Sequence, residues 1–138
     1  MPISPSQIAS VQNSWLTIST QRDGVALLFY DNLFDLAPHL KRLFTSGLQT
    51  QRDKFIEMLD HAVNALSRLD SIEEDLYKLG ERHSEYGIDE AHFDTAAIAL
   101  LTTLEQVLTD DFDEPLKEAW ARAYWILAGV MKKGMRRQ

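Results

Sequence analysis

The segment Leu76-Tyr77-Lys78-Leu79-Gly80-Glu81-Arg82-His83-Ser84-Glu85-Tyr86-Gly87-Ile88 decides how the chain is read. At about 3.6 residues per turn, Leu76, Leu79 and His83 fall on one side of a helix. An imidazole therefore points where leucines seek burial. Upstream, Ser71 with Glu74 has the spacing of a capping box that would start this helix, and Gly87 that of its stop.

Working outward, the same helical period recurs almost throughout. Ser4, Pro5 and Gln7 read as an N-cap, a first-turn proline and the capping-box partner. Ile8, Val11, Trp15 and Ile18 then repeat at helical spacing. A second helix is expected from about 23 to 36, with Val25, Leu28, Phe29, Leu33 and Leu36 on its buried face. Pro38 breaks it, because proline disfavours helix in the residue before it. A short turn from Pro38 to Phe44 leads into the loop Thr45-Ser46-Gly47. A third long helix is expected over about 48–69, with Gln51, Phe55, Met58, Ala62 and Leu66 sharing a face. Beyond His83, one helix is expected over about 92–108. Asp113 caps the last, Pro115 sits in its first turn, and Trp120, Ala123, Tyr124, Leu127 and Met131 form its buried stripe. The fold class is all-α, with about six long helices in a single domain over 1–138.

Composition narrows the function classes. The chain has 138 residues, enough to close a core, and 45% of them are apolar. A net charge of −7 argues against nucleic acid or an anionic membrane as partner. With no cysteine, neither disulfides nor thiolate chemistry nor a thioether-attached cofactor is available, which favours a reducing interior. The N-terminal residues lack the pattern of a signal peptide, and no long apolar run would span a membrane. A cytoplasmic protein is the expectation.

Three polar groups then stand out on apolar helix faces: Tyr30, Gln51 and His83. Each, if buried, needs a partner, since an unpaired buried polar group costs roughly 1–3 kcal/mol. Singly, each has an ordinary role. A lone histidine is more often a hydrogen-bonded core residue than a ligand, Gln51 fits a solvent edge, and Tyr30 fits a core ring with its hydroxyl at the surface. Phe44 and Phe55 fit plain core aromatics. Together, the three polar groups would be satisfied by one planar iron cofactor between the third and fourth long helices.

Their order along the chain resembles the globins, and most closely the bacterial single-domain haemoglobins, which are similar to the haem domain of flavohaemoglobins. Trp15 stands where that group carries a first-helix tryptophan. Leu28-Phe29-Tyr30-Asp31-Asn32-Leu33-Phe34 is similar to the second-helix motif, with Tyr30 as the distal tyrosine. Pro38 and Phe44 match the globin proline and the phenylalanine that wedges the haem. Gln51 matches the distal glutamine, and Arg82 to Ile88 the proximal-histidine motif. Ala119-Trp120 with Ala123-Tyr124 looks like the start of the family's last helix.

The resemblance implies a globin fold around a non-covalent haem b. His83 would ligate the iron, its second ring nitrogen bonded to a carbonyl one turn earlier, such as that of Leu79. Tyr30 and Gln51 would donate to a dioxygen ligand, and glutamine would not close the sixth position as histidine does. Phe44, Phe55 and Phe93 would line the pocket, and Lys54 would pair with a propionate or remain solvated. In the flavohaemoglobin-like group a tyrosine and a glutamate hydrogen-bond the proximal histidine. Phe93 and Met135 stand at those positions here, and neither accepts a hydrogen bond from imidazole. His61 is expected to be structural, and His39 and His92 surface residues.

The resulting expectation is reversible binding of dioxygen, with carbon monoxide and nitric oxide as further diatomic ligands, for storage, delivery or sensing. The alternative is a nitric oxide dioxygenase served by a separate reductase. A haemless signalling module is the third class, against which His83 argues.

Overall fold

A computed structural model describes residues 3–43, 47–85 and 88–136. Through them run α1 (Pro5–Ile18), α2 (Arg22–Leu36), α3 (Leu48–Asn64), α4 (Glu73–Glu85), α5 (His92–Leu108) and α6 (Glu114–Arg136). Short 3-10 turns link several of them, and no strand occurs among the described residues. The all-α reading is borne out. No helix among the described residues is long and apolar enough to cross a membrane.

Local chemistry explains most boundaries. Ser4 Oγ accepts from the Gln7 amide at 3.1 Å, and the Gln7 side chain accepts from the Ser4 amide at 3.0 Å, closing the capping box of α1. Asp113 Oδ1 accepts from the Leu116 amide at 3.0 Å and caps α6. Gly47 precedes α3 at φ +101, a backbone that side chains with a Cβ rarely adopt.

One boundary departs from the expectation. The third long helix stops at Asn64, where the Gln12 side-chain amide donates to the Val63 carbonyl at 3.0 Å. A 3-10 turn, Leu66–Ile72, follows, with Arg68 at φ −144 and ψ 50 outside helical geometry. The Ser71 hydroxyl, expected to cap the next helix, donates to the Arg68 carbonyl at 2.7 Å. α4 therefore opens at Glu73, with Glu73, Glu74 and Asp75 facing the positive end of its dipole. Phe44 and the expected stop at Gly87 lie outside the described residues.

Two tryptophans anchor the core. Trp15 and Trp120 pack with ring centroids 6.2 Å apart; Trp15 donates to Asp60 Oδ1 at 2.7 Å and Trp120 to Ser14 Oγ at 2.9 Å. These bonds satisfy both indole N–H groups while tying α1 to α3 and α6. The fully buried Thr103 hydroxyl donates to the Ala99 carbonyl at 2.7 Å and accepts from Asn32 at 2.9 Å, joining α2 to α5. α4 lies antiparallel against α6, with Gly80 over Met131 and Gly134 over Tyr77 and no side chain between the backbones.

Candidate functional site

The helices leave a cavity of about 740 Å³ bounded by α2, α3, α4, α5 and α6. Tyr30, Gln51, Lys54, Phe55, His83 and Phe93 all line it. Among the described residues, the cavity thus brings together every one offered from the sequence as a haem or ligand contact.

His83 sits in the last turn of α4, partly buried, and its Nδ1–H donates to the Leu79 carbonyl at 2.7 Å. That is the acceptor one turn back which the resemblance implies. Burial pushes the imidazole below its ordinary pKa, and the charge of Arg82 adds to this, while the Leu79 bond opposes it. The ring is therefore neutral near pH 7, and Nε2 is left as the nitrogen able to coordinate a metal. Phe93, in the first turn of α5, lies beside it with ring centroids 6.3 Å apart and planes 30° from parallel.

Across the cavity, Tyr30 is buried on α2 and packs edge-on against Phe29 and Phe55. Phe29 and Phe55 stack at 4.2 Å and 10°, joining α2 to α3. The Tyr30 hydroxyl donates to the Gln51 backbone carbonyl at 3.5 Å, a long and weak bond. Burial, offset in part by the charge of Arg52, pushes its pKa up to about 12, so it remains a hydrogen-bond donor. Gln51 is half-buried one helix away, and Lys54 lies exposed at the rim.

Several lining residues were not singled out from the sequence. His92, read there as a surface residue, lines the cavity with its side chain 22% exposed. Its Nδ1 accepts from the Asp89 amide at 3.0 Å while Asp89 Oδ1 accepts from the Ala91 amide at 3.0 Å. This is a capping pattern with histidine in the place of glutamate, which the Asp-x-x-His spacing signals. His61, expected to be structural, is exposed and borders the cavity 3.9 Å from Asp75 on α4. The hydroxyl of the partly buried Tyr124 on α6 donates to the Phe93 carbonyl at 2.7 Å and fixes the start of α5. Burial, and then the charge of Asp94, pushes its pKa up.

The residues fit a haem. A neutral imidazole with one nitrogen already held by a carbonyl lines a mostly apolar cavity, which Tyr30 on α2 and Gln51 and Lys54 on α3 also line.

Known proteins give the same frame. A rice (Oryza sativa subsp. indica) protein named anaerobic nitrite reductase is 28% identical over 99% of both chains. Neuroglobin of Chaenocephalus aceratus is 28% identical over 90% of this chain and 87% of its own. A bacterial globin structure from Campylobacter jejuni superposes with a TM-score of 0.87 at 20% identity, covering 97% of each chain. The bacterial likeness is thus one of fold, while these two sequence relatives come from a plant and a fish. The globin family model matches residues 27–131, and the chain belongs to the globin family.

Proposed function

We propose that the chain is a single-domain haem protein that binds dioxygen reversibly at an iron ligated by His83. The observation that carries this reading is the Leu79-bound, neutral imidazole of His83 in an apolar cavity that also holds Tyr30 and Gln51. Family membership supports haem as the cofactor, and the absence of cysteine from the sequence favours haem b held without a covalent link. The same composition favours the cytoplasm.

Haem supplies a ferrous iron with an open position for a diatomic ligand. The protein's part is to orient and to polarise. His83 would hold the iron through Nε2, since Leu79 occupies Nδ1. The Tyr30 hydroxyl and the Gln51 side-chain amide would be the donors available to a polar diatomic ligand in the cavity. Phe55 and Phe93 would exclude water, and Lys54 would offer a cation to a propionate. Carbon monoxide and nitric oxide fit the same position.

The spectrum of the purified protein in ferric, dithionite-reduced and air-exposed ferrous forms tests this. An intense near-ultraviolet to blue band that shifts on reduction and again with oxygen is the expected result. A colourless protein that takes up no added hemin would refute the haem reading.

A second reading is nitrogen-oxide chemistry in the same pocket, as a nitric oxide dioxygenase or a nitrite reductase, with a separate reductase as electron donor. The name of the rice relative favours it. Against it stands the neutral carbonyl acceptor on His83, which donates less electron density to iron than a carboxylate does. Sustained turnover with a purified reductase would select the enzyme, and stable oxygen binding without turnover the carrier.

A further inference from the structure

The wall behind His83 carries a cation. Lys132, on α6, places its ammonium 5.6 Å from the centre of the Phe93 ring and 5.2 Å from that of Trp125. Two aromatic faces hold this side chain, so its charge has a fixed place. Phe93 in turn lies against the His83 ring, 6.3 Å between centroids. The chain of contact runs from ammonium to phenyl to imidazole.

Among the described residues, the carboxylate coupled to Lys132 is that of Glu90, and it is already taken. Glu90 is engaged by Arg136 through two hydrogen bonds, at 2.5 and 3.2 Å, so that pair adds no net charge. The Arg136 bond first, and then the charges of Arg136 and Lys132, hold the Glu90 carboxyl below its ordinary pKa. Asp94, in the first turn of α5, acts by its charge on Tyr124. On α4 itself, Arg82 adds a second cation beside His83. Among the described residues, the side-chain nitrogen of His83 bonds a neutral carbonyl and no carboxylate.

Resting on the haem reading, we propose that Lys132, held over Phe93, is a specificity-determining residue of the site that biases the iron toward the ferrous state required for reversible dioxygen binding. Oxidation adds one positive charge to the iron. A cation fixed on the proximal side opposes that addition, the more strongly where protein rather than water lies between the charges. The site is thereby tuned against losing an electron to bound ligand and toward releasing dioxygen unchanged. Lys132 acts through field and ring rather than by touching the cofactor, so its signature is electrostatic.

The test is a mediator redox titration of the haem-loaded protein and its Lys132→Arg, Lys132→Met and Lys132→Glu variants, at low and high salt. At a fixed potential, the ferrous-to-ferric ratio is expected to fall about threefold in Lys132→Met and about tenfold in Lys132→Glu, the latter a shift of about 59 mV for one electron. Lys132→Arg keeps the charge and should titrate like the wild type. High salt should shrink the differences, as it screens a half-exposed charge. Superposed titrations for all four proteins overturn the proposal, and so do equal shifts for all three variants, which would indicate lost packing. Because Lys132 is not a core residue, haem content and helical signal should match the wild type. A wild type that binds no haem fails the haem reading itself, a result distinct from haem bound at an unchanged potential.

Discussion

Gly80 of α4 lies against Met131 of α6 so closely that a Cβ on Gly80 would stand 2.0 Å from the Met131 carbonyl oxygen. Gly134 repeats the contact, where a Cβ would meet the Tyr77 carbonyl oxygen at 2.1 Å. Backbone on backbone is the tightest fit two helices have. It fixes the depth at which α4 presents His83 to the cavity.

Gly80→Ala should therefore force α4 away from α6. Overpacking of this kind costs about 1–3 kcal/mol, more than the roughly 1 kcal/mol that alanine gains in a helix interior. Gly24→Ala in α2 is the control, since a Cβ there meets nothing within 4 Å, and it should stabilise by about 0.4–1 kcal/mol. Urea unfolding of both variants measures this. Equal midpoints would remove the close crossing from the account of the fold.

His83→Ala should abolish retention of haem through purification, while the helical signal stays. Added imidazole should restore part of the absorbance by filling the vacated volume with the same donor. Haem content equal to the wild type's would defeat the assignment of His83 as ligand.

Tyr30→Phe keeps the ring contacts with Phe29 and Phe55 and removes only the hydroxyl. One hydrogen bond to a charged acceptor is worth about 1.5 kcal/mol, so dioxygen should leave about tenfold faster. Stopped-flow replacement of dioxygen by carbon monoxide gives the rate. No change would mean that Tyr30, with its hydroxyl on the Gln51 carbonyl, never turns to the ligand.

Helical spacing and capping residues made most of the fold legible. Ser4-Pro5-Gln7, Pro38 and Asp113 each mark a boundary by a local bond or a local clash. The end of α3 was not legible, because Ala65 carries no helix-breaking signal and the bond that closes the helix comes from Gln12 on α1. Within the site, periodicity set Tyr30, Gln51 and His83 on apolar helix faces, and it took their order along the chain, which resembles the globins, to join them. It could not place Lys132 over Phe93 or the Tyr124 hydroxyl on the Phe93 carbonyl, since both depend on how α5 and α6 cross.

The haem-free protein should lose stability as pH falls through about 6.5. Burial depresses the His83 pKa in the folded state, so below that value the unfolded chain binds a proton that the folded chain refuses. Stability is then full above about 6.5 and declines below it by up to about 1.36 kcal/mol per pH unit, until the folded imidazole also protonates. Urea unfolding between pH 5 and 7.5 should show a flatter profile for His83→Gln. Parallel profiles would assign the pH dependence to other groups.

Phe93→Tyr places a phenol beside the proximal imidazole, where the structure now has the Phe93 ring. The Leu79 carbonyl already takes the Nδ1 proton at 2.7 Å, so the new oxygen must compete with a well-formed bond. Where it succeeds, the imidazole becomes the stronger donor and the iron–histidine stretching band of the reduced protein moves up. The shift should be partial, because Met135 rather than glutamate stands at the second position of the flavohaemoglobin pattern. An unshifted Raman band would mean that Leu79 alone sets the proximal bond. The carbonyl of the helix itself, rather than any side chain brought to it, would then decide how strongly His83 donates.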